Sequence, residues 1–296
     1  MERGAHLFGQ QLFNGLVTGS TYALIALGYT MVYGVLQLIN FAHGEIYMVG
    51  AFTGLLLVTQ ANLPFPLALL LAMAITALLG VTIEFIAYRP LRRSSRLSVL
   101  ISAIGMSIFV QNVALWVWGP QTRRFLPPFP VHTFTVAGLR TNTLELLTLF
   151  VALVMMLGLH LLVTRTKLGK AMRAVAQDRE TAALMGINVN RTIAFTFAIG
   201  SSLAAAAGVM VGMLFNAVVP NMGVMPGLKG FVAAVLGGIG SIPGAMVGGL
   251  VLGMAEVLGV ALLSSQWRDA IAFAILILVL LYRPSGLLGR RTQEKV

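Results

Sequence analysis

The chain has 296 residues, of which 58% are hydrophobic and only 10% charged. A soluble protein carries about 25% charged residues, so these charges cannot cover a globule of this size, and a soluble single domain, a disordered chain and a coiled coil are excluded. What remains is an all-α polytopic membrane protein, and the absence of Cys removes disulfides, thiolate metal sites and Cys nucleophiles.

A spanning helix needs about 20 apolar residues. Candidates stand at 10–36, 45–60, 66–88, 98–118, 143–163, 192–216, 228–241, 244–263 and 267–282. The first exceeds one straight span and contains Gly15, Gly19, Gly28 and Gly34, so it is expected to tilt or break. It carries a polar stripe of Asn14, Thr18, Thr21 or Tyr22, Tyr29 and Tyr33 at helical steps. That stripe faces a partner or a substrate, or its hydroxyls bond back to their own helix. The 228–241 stretch is too short to cross and reads as half of a discontinuous helix. The chain is therefore expected to have eight or nine transmembrane helices, some broken or re-entrant, in one transmembrane domain over 1–296.

The net charge of +11 is a topology signal and not a sign of nucleic-acid binding. Fourteen of the 20 Lys and Arg fall in three regions. Arg89, Arg92, Arg93 and Arg96 lie in 88–97. Arg165, Lys167, Lys170, Arg173, Arg179 and Arg191 lie in or beside 164–191. Arg283, Arg290, Arg291 and Lys295 lie in the tail. The positive-inside rule makes these regions cytoplasmic. Arg3, Arg123, Arg124, Arg140 and Arg268 then fall outside, with Lys229 undecided. Three spans precede Arg89, which places the N-terminus outside and the C-terminus in the cytoplasm. The first span lacks the basic leader and cleavage site of a signal peptide. The Pro-rich 119–142 loop is external, either a passive linker or a partner contact.

Between these loops, "QLINFAHGEIYM" places Asn40, His43 and Glu45 at a junction of two apolar helices. Ionisable groups inside a membrane are costly and usually functional. One reading is a polar patch at a helix break that lines a translocation route. The other is capping, with Asn40 or Gly44 starting the next helix and Glu45 set against its dipole. Glu145 and Glu84 have local explanations: a helix start for the first, Arg89 for the second. Glu256 has no partner nearby in sequence and is the next pathway candidate.

The 164–191 loop reads as a helix from about Gly169 to Met185, rich in Ala and stopped by Gly186. Met172, Val175, Ala182 and Met185 suggest one small apolar face. Such a helix plugs into a cytosolic partner or lies on the anionic membrane surface. The Gly-rich run 237–253 lacks the Lys-Ser/Thr ending and preceding strand of a phosphate loop. It reads as close helix packing or as a re-entrant turn.

"ETAALMG" (180–186) resembles the Glu-x-Ala-x-x-x-Gly core by which ABC importer permeases engage their ATPases. It departs from the commonest pattern at Thr181 and at "TFAI" (196–199). Together with "GLVTGSTYALIALGYTMVYGVLQLINFAHGEIYMVGAF", "YRPLR", "LGKAMRAVAQDRETAALMGIN" and "GLKGFVAAVLGGIGSIPGAMVGGLVLGMAE", it is similar to the smaller permease of the branched-chain amino acid ABC importers, over about 10–289. The resemblance implies a bacterial inner-membrane subunit with no enzyme activity and no cofactor of its own. ATP and Mg are used by two cytosolic ATP-binding subunits. A second, homologous permease and an external substrate-binding protein complete the importer. It also implies a coupling role for Arg173, Asp178, Glu180, Ala182 and Gly186. Related permeases carry urea or other amino acids, and a stand-alone channel or ion-coupled carrier for a small polar solute such as urea is the alternative. An intramembrane enzyme is disfavoured, because the His residues are scattered and the buried acids single.

Overall fold

The computed structural model describes residues 2–92, 94–136 and 138–289, with side chains from Leu7 onward. Arg93, Arg290, Arg291, Lys295 and the side chain of Arg3 lie outside the described residues.

Eleven α-helices and one short hairpin make up the described chain. They are α1 (Glu2–Leu36), α2 (His43–Thr59), α3 (Phe65–Ile83), α4 (Arg96–Trp118), α5 (Thr143–Arg165), α6 (Lys167–Gln177), α7 (Arg179–Leu184), α8 (Val189–Leu214), α9 (Val224–Gly237), α10 (Ile242–Leu262) and α11 (Arg268–Tyr282). A π-helical turn, Glu84–Tyr88, extends α3. The hairpin pairs β1 (Thr133–Val136) with β2 (Leu139–Asn142), antiparallel, inside the loop between α4 and α5. Several starts are set by side chains that accept the first free backbone N–H groups. Ser95, Asn142, Thr166, Asp178, Asn188 and Ser241 do so for α4, α5, α6, α7, α8 and α10. Asn142 and Glu145 form a reciprocal capping box.

Among the described residues, seven helices are long and apolar enough to cross a membrane. Their burial ranks them. The span in α1 is 89% buried and that in α8 72%, whereas α4 reaches 22% and the span ending in α11 only 6%. Thus α1 and α8 form the centre, and α4, α5 and α11 present apolar faces outward. Ile101, Ile108, Phe109 and Trp116 on α4 are exposed in this way.

Close approach of the central helices depends on small residues. A methyl group on Gly253 would meet the backbone of Gly19, and one on Gly249 the backbone of Ala23, so α10 lies directly on α1. Across α2 and α8, Gly50 abuts Ala205, and Gly208 abuts the carbonyl of Tyr47. The expected break in α1 is therefore not needed: it is continuous over 35 residues, and its glycines serve packing.

The remaining two apolar segments form shorter helices that begin inside the bundle. After Leu36 the chain turns at Gln37 (φ 55°), and His43 at the start of α2 sits against Gly28. Gly28 precedes the end of α1 by eight residues, about 12 Å at 1.5 Å per residue. So α2 begins inside the bundle. After α8 the chain turns at Asn216 (φ 51°) and re-enters. Gly223, the N-cap of α9, abuts Gly44. Helix α9 then ends beside Gly244 of α10. The nine candidate segments are thus seven long helices and two short ones whose N-termini meet in the interior.

Candidate functional site

The meeting point of α2 and α9 is unusually polar for an apolar bundle. Neither helix has a side-chain cap at its N-terminus. Asn40 Oδ1 accepts from Ala42 N (3.1 Å) and from the Tyr88 hydroxyl (2.9 Å). Asn40 thus caps the turn before α2, and Ala42, not Asn40 or Gly44, is the N-cap. His43 packs edge-on to Tyr29, ring centroids 4.7 Å apart. Glu45 is 3% exposed. Its Oε1 accepts a 3.3 Å bond from Ser107 of α4. A cavity of about 200 Å³ opens beside it, walled by Tyr29, Phe41, Gln111, Gly227 and Leu228.

Buried side-chain polar atoms are almost always hydrogen-bonded. Among the described residues six are not: Thr30 Oγ1, Asn40 Nδ2, His43 Nε2, Glu45 Oε2, Tyr47 OH and Arg92 Nε. Five of these lie between residues 30 and 47. The structure therefore brings Asn40, His43 and Glu45 together in one polar junction.

Glu256 lies elsewhere. It is fully buried on α10, and its partners come from distant sequence. Lys229 Nζ of α9 lies 3.1 Å from Oε2, and Arg268 Nε of α11 3.2 Å from Oε1. The Tyr22 hydroxyl is 3.1 Å from both oxygens. Lys229 also reaches Asp269, at 2.7 Å. Two cations and two anions thus balance across three helices, α9, α10 and α11. Lys229 and its two acids, Glu256 and Asp269, are not recognisable as partners in sequence, because 27 and 40 positions separate them along the chain. Glu84 is also fully buried and is paired with Arg89 (3.1 Å) and with Arg92.

At the end of the bundle that carries Arg89 and Arg92, the 164–191 loop folds as two helices rather than one. The expected Gly169–Met185 helix is divided at Asp178, whose extended backbone (φ −157°, ψ 118°) ends α6 and caps α7. Asp178 Oδ1 accepts from the backbone N of Glu180 and Thr181, and Oδ2 from the Thr181 hydroxyl. Those bonds, Thr181's first, hold its carboxyl below the usual 3.8, so it is ionised at neutral pH.

Arg173 bends back to the Val163 carbonyl at the end of α5. Met172, Val175 and Ala182 are buried, as one apolar face requires. Met185 departs from that face: it is 79% exposed, and Leu184 87%. The short α7 ends before it completes two turns, so these two side chains project from the loop. Glu180 and Ala183 are exposed as well. Gly186 (φ 83°) reverses the chain toward α8, a conformation open to Gly at little cost. Arg179 ties α7 to the bundle by donating to the Leu36 carbonyl at 2.7 Å.

The comparisons with known proteins agree. The family described as "Branched-chain amino acid transport system / permease component" matches residues 11–280. The high-affinity branched-chain amino acid transport system permease protein BraD of Pseudomonas aeruginosa is 48% identical, over 97% of this chain and 97% of its own. The corresponding protein LivH of Escherichia coli is 46% identical over 98% of each. Among solved structures, PsaBC from Streptococcus pneumoniae in complex with Fab shares the fold, with a TM-score of 0.51 over 92% of this chain and 91% of that one, at 16% identity. This chain belongs to the branched-chain amino acid transport system permease family.

Proposed function

We propose that this chain is the membrane-embedded permease of an ATP-driven importer, and that it passes branched-chain amino acids into the cytoplasm. Beyond family membership, one observation carries the reading. Two uncapped helix N-termini meet inside an apolar bundle beside the unpartnered oxygen of Glu45. Helix N-termini favour a carboxylate, and a carboxylate side chain favours an ammonium. Together they suit a zwitterion. In this reading Asn40, His43 and Glu45 line the route, and Glu256 supports it through the groups it holds.

The energy comes from elsewhere. Two ATP-binding subunits, which use the ATP and Mg, dock on α6 and α7. Leu184 and Met185 are the exposed apolar contacts there, flanked by Glu180. Asp178, Arg173, Ala182 and Gly186 hold α7 in place for coupling. A second permease covers the outward apolar faces, and an external binding protein delivers the substrate. The subunit lies in the bacterial inner membrane, with its basic end and C-terminus cytoplasmic and its N-terminus external. A stand-alone channel or carrier for a solute such as urea is not favoured, since it has no use for exposed Leu184 and Met185. The test is copurification from detergent. A second permease and ATP-binding subunits should follow the chain, and Glu45→Gln should lower leucine uptake without dissociating them. Isolation of the chain alone, with normal uptake by Glu45→Gln, overturns the reading.

A further inference from the structure

A second and larger cavity, about 360 Å³, lies beside the Glu45 junction but shares none of its lining residues, and is walled from α1, α2, α5, α8, α9 and α11. Its size falls within the range of about 300–1,000 Å³ typical of small-molecule sites. Among its lining residues are one cation, Arg268, and one anion, Glu145. Both keep binding capacity. Arg268 gives its Nε to Glu256, which leaves the paired terminal nitrogens of the guanidinium, the fork that takes a carboxylate end-on. The hydrogen bonds at the Glu145 carboxylate all reach Oε2, from Thr141 and the backbone of Asn142, so Oε1 is free among the described residues. Tyr47 lines the same cavity, and its buried hydroxyl has no partner. The aliphatic part of the wall is Val17, Ile25, Val211 and Leu214, beside the hydroxyls of Thr18 and Thr21 and the amide of Asn14.

We infer that this cavity is a second binding site for a zwitterionic aliphatic amino acid, distinct from the Glu45 junction and on the hairpin side of the bundle. Arg268 takes the carboxylate, Glu145 the ammonium and the aliphatic wall the side chain. One ion of each sign rejects amines and fatty acids that carry a single charge, because the opposite wall charge is then left unpaired. Glu256 is a positioning residue in this account: it fixes Arg268 Nε so that the outer fork points away from the network. The site rests on the importer reading above, and it is where the amino acid lodges before reaching Glu45.

The test uses the permease with the subunits that copurify with it. Leucine binding is measured without the external binding protein, and ATP-driven leucine uptake is measured in proteoliposomes. The probes are L-leucine, leucinol (no carboxylate) and 4-methylpentanoate (no ammonium). Two variants leave every described hydrogen bond in place. Tyr47→Phe removes a hydroxyl that has no partner, so the unliganded protein should melt no lower. It should bind leucine about tenfold or more weakly, the loss expected for a hydrogen bond to a charged group. Val211→Trp fills the cavity and should abolish binding and uptake while the protein still copurifies intact. Leucinol and 4-methylpentanoate should both fail to compete. If the unaltered complex transports leucine while both variants bind and transport it normally, the cavity is not a site and the importer reading stands. If the unaltered complex shows no leucine uptake, the importer reading fails and the site with it.

Discussion

Replacing Glu256 by Gln tests the buried network most sharply. The amide keeps the volume and a bond to the Tyr22 hydroxyl but removes the charge. Lys229, 5% exposed along its side chain, then keeps only Asp269 at 2.7 Å, and that carboxylate is 48% exposed and partly screened. Removing one partner of a buried ion pair costs about 3–5 kcal/mol. The retained Asp269 contact places this case at the lower end, about 3 kcal/mol. At about 2–4 °C per kcal/mol, melting should fall by roughly 6–12 °C. Adding Lys229→Met to the same protein should recover most of that loss, because the cation no longer needs a partner. The assay is thermal unfolding of the detergent-purified chain as single and double variants. If Glu256→Gln melts with the unaltered protein, or if the double variant melts lower than either single one, the four charges are not coupled as described.

Replacing both Leu184 and Met185 by Asp should leave melting unchanged, since both side chains are exposed, yet should release the ATP-binding subunits in a pull-down. Gly186→Ala, which forces a side chain into φ 83°, should uncouple ATP hydrolysis from uptake while membrane insertion persists. Gly253→Val should drive α10 from α1, because its side chain meets the backbone of Gly19. Size-exclusion chromatography would then show aggregation. Gly105→Ala, with nothing within 4 Å of the added carbon, should melt as before or slightly higher.

The long spans were legible because each needs only its own composition, and the basic loops because Arg and Lys cluster locally in sequence. Asn40, His43 and Glu45 were legible as a group because they are five positions apart at most and interrupt apolar text. Their shared orphan atoms were not, since those depend on what α4 and α9 bring alongside. The partners of Glu256 were hidden for the same reason: Tyr22, Lys229 and Arg268 sit on three other helices. The division of the coupling helix at Asp178 was missed because Ala-rich propensity on both sides masks a single N-cap, although Asp followed by Arg-Glu-Thr is a recognisable start. Met185 was placed on the apolar face by periodicity, and α7 ends one residue too early for periodicity to reach it.

The central claim is tested most directly by leucine uptake into proteoliposomes that hold this chain with its copurifying subunits, supplied with the binding protein. Accumulation should require ATP, and a Glu180→Ala variant should still hydrolyse ATP but accumulate no leucine. Equilibrating leucine flux through the chain alone, without ATP and unaffected by Glu180→Ala, would contradict it.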